Sequence, residues 1–250
     1  MRPKKFNEHK PFEHRKLTTS AEAARFIRSA GFCMLFPIKN FPLLSLYEAI
    51  KGGKPPRQFT WDRDVENLWK WKDQLGKQRR AYYGKYFRGR GTFISLEFLP
   101  YFLAMRESAL APEDFQQFHA AGRITAEARV IWEALAKHGP LATLELRHAC
   151  KFDSKRSNVR FKRAMVELQC LLVVVHFGTE QETAAWASGR FELTSRAFPE
   201  AMREAAEISP ETARAAIAAK YREWHPGAQP SHIAMLFGWS KNETMAACSQ

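Results

Sequence analysis

The stretch "KQRRAYYGKYFRGRGTF", residues 77–93, carries six cationic side chains, no acidic one, and five aromatic rings set between the charges. Guanidinium groups at Arg79, Arg80, Arg88 and Arg90 and the ammonium of Lys85 can sit on phosphate oxygens, while an exposed ring such as Tyr83 can stack on an unpaired base. A second group, Lys155, Arg156, Arg160, Lys162 and Arg163, places five cations within nine residues, with only Asp153 nearby to oppose them. Ser157 and Asn158, set among these, can hold phosphates or read base edges. Hydrolytic chemistry asks for something else, a carboxylate or amide that activates water. Asp73 and Gln74 in "WKDQL" and Glu97 in "SLEFLP" flank the first basic stretch and are the weak candidates for that role. The density of Arg and Lys around the two carboxylates favours salt bridges instead.

Such side chains need elements to aim them. The first basic stretch reads as two strands, "RAYYGKYF" and "GTFIS", turned at Gly89-Arg90-Gly91. Strand alternation then puts half of Tyr82, Tyr83, Tyr86 and Phe87 on an inner face. Ahead of it come a helix over "TTSAEAARFIRSAGF", capped by Thr19 or Ser20 and ended by Gly31, then a short buried strand in "FCMLFPI". "PLLSLYEAI" follows as a helix with Pro42 in its first turn. A further helix from Trp61 to Leu75 opens at Thr60, with Trp61, Val65, Leu68, Trp69 and Leu75 as its buried stripe and Trp71 at the edge. "SLEFLPYFLAMRE" closes this first unit as a helix.

From Ile124 the pattern becomes three helices and a hairpin: "ITAEARVIWEALAKHG", "LATLELRHAC", "SKRSNVRFKRAMVELQCL", then "LLVVVHF" and "GRFELTS". That is the order of a winged helix-turn-helix, in which the third helix, here the one with five cations, is presented to DNA. Ser209 and Pro210 open another helix, and "SHIAMLFGWSKNETMAACSQ" reads as two short helices joined at Gly238-Trp239. The expected fold is α+β, mostly helical, with tandem winged helix-turn-helix domains bearing small β-hairpin wings. Its parts are a basic flexible arm at 1–17, an N-terminal winged-helix-like domain at 18–110, a central one at 120–198, and a helical or partial winged-helix unit at 207–250.

Composition agrees with a polyanionic partner. The chain has 39 Lys and Arg against 26 Asp and Glu, a net charge of +13 in 250 residues, and a pI near 9.8; a basic balance of that size points to nucleic acid. With 45% hydrophobic residues there is material for real cores. Cys33, Cys150, Cys170 and Cys248 stand singly, which suits reduced thiols in a cytoplasm and argues against zinc. No apolar run reaches the roughly 18–20 residues of a membrane span. GxxxxGK[ST], GxGxxG, HExxH and GxSxG are all missing, so nucleotide, zinc-protease and hydrolase chemistry lack their hardware. The expectation is a cytoplasmic, nucleoid-associated monomer that binds double-stranded or damaged DNA, with no metal, membrane or cofactor. A winged-helix transcriptional regulator is the alternative, although no heptad supports a dimer.

"GFCMLFP", "WKWKDQL", "YYGKYFRGRGTFISLEFLPYF", "TLELRHACKFDSKRSNVRFKRAMVELQ" and "SHIAMLFGWS" together resemble the bacterial winged-helix DNA glycosylases of the AlkZ/YcaQ type, in a divergent AlkZ-related branch. The resemblance implies tandem winged helices curved around duplex DNA and, for active members, release of bulky N7-alkylated purines and unhooking of interstrand crosslinks. Active members carry a Gln-aliphatic-Gln or Gln-aliphatic-Asp motif after the first helix. Placed on "GFCMLFP", those two positions hold Met34 and Phe36, and neither side chain can orient water or stabilise an oxocarbenium-like sugar. An active glycosylase would therefore need a relocated catalytic group.

Overall fold

The computed structural model describes residues 16–52, 59–106, 110–182 and 187–249. All but the last two residues of the expected basic arm lie outside these. The fold is α+β and mostly helical, with two small antiparallel sheets.

Chain entry is set by a local cap. The Thr19 hydroxyl accepts from the Glu22 N–H at 3.2 Å and the Glu22 carboxylate accepts from the Thr19 N–H, so two orphan donors of α1 (Ser20–Ala30) are satisfied reciprocally. Gly31, at φ 77°, turns the chain out of α1 into β1 (Phe32–Met34). There follow α2 (Leu46–Ile50), α3 (Arg63–Lys77), β2 (Tyr82–Gly84), a 3-10 turn (Phe87–Gly89) and β3 (Thr92–Ile94). β3 lies between β1 and β2, with Phe93 opposite Cys33 on one side and Tyr83 on the other.

Several boundaries differ from the sequence expectation, each for a physical reason. The helix expected from Pro42 begins at Leu46 behind Ser45, because the Met34 N–H donates to Leu44 O and holds that segment extended. Asp62 rather than Thr60 caps α3, its carboxylate accepting from the Asp64 and Val65 N–H groups. The strand expected through Phe87 stops at Gly84, since the chain folds there into the 3-10 turn.

The second sheet repeats the first. Beyond α4 (Leu99–Ala104) and α5 (Phe115–Ala120) come α6 (Ala126–His138), β4 (Leu141–Ala142), α7 (Thr143–Ala149), α8 (Ser157–Cys170), β5 (Val174–Glu180) and β6 (Ser188–Leu193). Again the order is helix, strand, helix, helix, strand, strand, with the last strand in the middle of the sheet. α9 (Thr194–Ala197), α10 (Pro199–Ala206), α11 (Pro210–Trp224), α12 (Pro230–Phe237) and α13 (Lys241–Ser249) complete the chain. α11 packs on α13 and back onto α4.

One hydrophobic core runs from Phe32 to Ala247 and joins both sheets to the C-terminal helices, while a smaller one fills the space between α1, α2, α3 and the first sheet. β1 is buried on both faces: Phe32 and Met34 enter the large core, while Cys33, with Leu35 just beyond the strand, enters the small one. The sheets meet where β2 and α3 pack on β5. There the fully buried Tyr82 hydroxyl lies 3.2 Å from Val174 O and 3.3 Å from Gln169 O. Gly84 makes room for that hydroxyl, for a Cβ at this position would stand 2.4 Å from it. Tyr82→Phe should therefore cost about 1 kcal/mol through the lost hydrogen bond. Gly84→Ala should cost more, because the methyl drives the ring out of the junction; thermal unfolding of the two variants, read by circular dichroism, checks the order.

Candidate nucleic-acid interface

α8 buries Phe161, Ala164, Met165 and Leu168 and turns its other side to solvent. Lys155, Arg156, Arg160, Lys162 and Arg163 are exposed there, with Asn158 half-buried at the edge. The Ser154 hydroxyl accepts from the Ser157 N–H at 3.1 Å, which makes Ser154 the polar cap of the turn leading into the helix. Arg160 lies 3.4 Å from Glu127 of α6. Lys155, Arg156, Lys162 and Arg163 have no carboxylate partner among the described residues.

The basic hairpin reaches the same side. Gly89, at φ 67°, seats the 3-10 turn against α8, where an added Cβ would come within 3.1 Å of Val166. The Cys170 thiol donates to Lys85 O at 3.0 Å. Val166 lies one helical turn beyond Lys162, so Lys162 is on the side of α8 that meets the turn. Burial first, and then the charges of Lys162 and Arg90, hold the Lys85 ammonium below the usual lysine range. Two basic stretches more than sixty residues apart in sequence thus contribute to one cationic cluster. Arg88, at φ 49°, extends its guanidinium over the Phe41 ring at 4.5 Å. Arg79 and Arg80 are exposed but precede β2, at the other end of the strand from the turn.

The hairpin's rings are not available for stacking. Tyr83, expected as an exposed face, is 9% exposed and packs on Phe93 and edge-on to His176. Tyr82, Phe87 and Phe93 are also buried, and Tyr86 is half-covered against Phe87 and Phe102. Alternation fails as a guide because both faces of the first sheet are covered, one by each core.

The polar candidates resolve into ion pairs. Glu97 bonds Arg28 at 2.8 Å. Asp73 Oδ1 bonds the Lys72 ammonium and lies 3.4 Å from His176 Nε2. Lys72 is nearly buried, its ammonium 4.7 Å from the centre of the Trp69 ring and 5.6 Å from that of Tyr83. Burial, with the Lys72 charge added, pushes His176 down to about 3, so its ring is neutral at pH 7. Its Nδ1 accepts from the Gly178 N–H at 3.4 Å, which leaves the proton on Nε2, towards Asp73. Gln74 is exposed on α3. Met34 is fully buried beside the Thr92 hydroxyl, and Phe36 is half-buried in a ring cluster.

That cluster was not legible as a surface. Trp61 and Trp69, expected in the core, are 57% and 37% exposed, while Trp71, expected at the edge, is buried. The buried stripe of α3 is Val65, Leu68, Lys72 and Leu75 with Trp71 beside it. Trp61 precedes the helix and stacks on Trp69 with centroids 6.4 Å apart and planes at 20°. Phe36 touches Trp69, Phe59 and Tyr47 at 6.2, 5.9 and 5.3 Å. An eight-residue spacing puts the two tryptophans on one side of the segment, but periodicity alone carries no signal that this side faces solvent.

Among the described residues no group of three or more His, Cys, Asp and Glu could hold a metal, and no helix is long and apolar enough to cross a membrane. A family model described as AlkZ related matches residues 17–238. No curated protein and no solved structure matches the chain.

Proposed function

The chain belongs to the AlkZ-related family, and from that premise we propose that it binds duplex or damaged DNA on a glycosylase-type scaffold without the water-positioning pair of active glycosylases. The observation that carries this reading is the assembly of Lys85 and Arg90 with Lys162, beside the unpaired cations of α8. Cations held close together without acidic partners repel one another and gain most from a polyanion. The twice-repeated order of helix, strand, helix, helix and hairpin, with the last strand central, supports a tandem winged-helix reading in which α8 is the presented helix. The partition at 18–110, 120–198 and 207–250 belongs to the same proposal, as do a monomeric state and a place on the nucleoid. Burial of Met34 and the aromatic packing of Phe36 support a binding protein over a hydrolase.

Titration of duplex DNA against salt tests this. Six neutralised phosphates give a log–log slope near −5, from about −0.9 per contact, and a slope shallower than about −2 overturns the proposal. Incubation with N7-alkylguanine DNA, scored for abasic sites after mild alkali, should yield none. Base release that vanishes in Asp73→Asn, with folding intact, would instead make this an enzyme with relocated chemistry.

A further inference from the structure

Phe59, Trp61 and Trp69 are the exposed large aromatic side chains among the described residues, and all three belong to the group that centres on Phe36. The cores do not require them: α3 already buries Val65, Leu68, Trp71 and Leu75. Contiguous apolar surface of this kind marks a contact site, and its chemistry narrows the occupant. The inner side of Trp69 already carries the Lys72 ammonium at 4.7 Å, so a cationic ligand would meet a like charge.

The charge around the rings also has a sign. On α3, Arg63, Lys70 and Lys77 are exposed against the single free carboxylate of Glu66. Asp62, Asp64 and Asp73 are already taken by Lys51, Lys16 and Lys72. Rings that stack, flanked by cations that accept a phosphate chain, are the hardware of single-strand recognition.

We propose that Phe36, Phe59, Trp61 and Trp69 form a stacking platform for unpaired nucleobases, so that the protein favours DNA in which bases are displaced from the duplex. This rests on the DNA-binding reading and adds a second contact, on α3 rather than α8, whose strength depends on rings instead of charge.

The test compares three probes on the whole protein: an oligothymidine strand, a fully paired duplex, and the same duplex with a three-base bulge. Oligothymidine should quench tryptophan fluorescence. Trp61→Ala and Trp69→Ala should each weaken oligothymidine and bulge binding roughly tenfold and the paired duplex less than about twofold, leaving the salt slope unchanged. Trp69→Phe keeps a ring over Lys72 and should retain most of the affinity. Trp61→Ala removes no buried side chain, so it carries the test if Trp69→Ala fails to fold. Unchanged oligothymidine affinity in Trp61→Ala, or equal losses on all three probes, overturns the platform even if duplex binding is salt-sensitive. Ring-dependent quenching without duplex binding overturns the duplex reading and leaves the platform standing.

Discussion

Replacing Arg156, Lys162 and Arg163 together by Ala will weaken duplex binding by roughly several-hundred-fold at about 0.1 M salt, and will take about 2.7 off the log–log salt slope. Arg156, just ahead of α8, and Lys162 and Arg163 on it are exposed and have no carboxylate partner among the described residues. Each phosphate contact contributes about 0.9 to the slope, and the same factor multiplies the tenfold dilution of salt below 1 M, so three contacts are worth between two and three decades. Arg160 provides the internal comparison. Glu127 at 3.4 Å already takes part of its charge, and Arg160→Ala should weaken binding less than Lys162→Ala does. Thermal unfolding of the triple variant should barely move, as expected for exposed sites. Lys85→Gln should separate the two properties in the opposite sense, raising stability at low salt by relieving the Lys162 and Arg90 repulsion while lowering DNA affinity. A triple variant that binds with wild-type affinity and slope would remove α8 from the interface.

Asp73→Ala will cost about 3–5 kcal/mol of stability, because it leaves the ammonium of Lys72 buried beneath two rings with no counter-charge. Lys72 is 7% exposed, with Trp69 and Tyr83 over its end, so water cannot replace the carboxylate. For a chain of this length the melting temperature should fall by roughly 10 °C. Lys72→Met combined with Asp73→Asn should recover most of the loss, since both charges leave together. Acid probes the third member of this group. His176 is neutral in the fold, pushed down to about 3, whereas in the unfolded chain it takes a proton near pH 6.5. Its contribution is therefore complete above about pH 6.5 and is lost as pH falls towards 3, at about 1.4 kcal/mol per pH unit. Urea unfolding at pH 7, 6 and 5 should show that slope in the wild type and a flatter one in His176→Phe. Equal slopes would mean that the folded histidine takes up its proton near the ordinary pH. Loss of base release in an Asp73 variant says nothing about catalysis until the same sample is shown to be folded.

Local physics was legible in the sequence, and contacts across the chain were not. Thr19, Gly31 and Ser209 sit where the sequence places them because a cap needs only three or four neighbouring residues. The start of α2 was misplaced because a backbone bond between Met34 and Leu44, ten residues apart, decides it. α5 went unread, being one and a half turns long with no side-chain cap. The 3.6-residue period places Trp61 and Trp69 on the inner stripe, but Trp61 precedes the helix and Lys72 and Trp71 hold the buried positions between Leu68 and Leu75. In the candidate interface, both basic stretches were visible as charge, but their meeting depends on a glycine against Val166, which no periodicity reports. The burial of Tyr83 follows from a second core behind the sheet, and a single strand's alternation carries no trace of it.

The junction at Tyr82 has a mechanical consequence. Gly76 brings α3 so close to β5 that a Cβ there would lie 3.0 Å from the His176 carbonyl, and Gly178 is equally tight against Lys77. With one core running through both sheets, the 3-10 turn and α8 are packed against each other, Gly89 against Val166. On the DNA-binding reading proposed above, a duplex lying across the cationic face meets a surface braced by these close contacts. If that reading holds, a braced surface would select by compliance: nicked, bulged or easily kinked duplexes need less elastic energy to fit than straight ones, and a preference would arise at base pairs that no side chain touches.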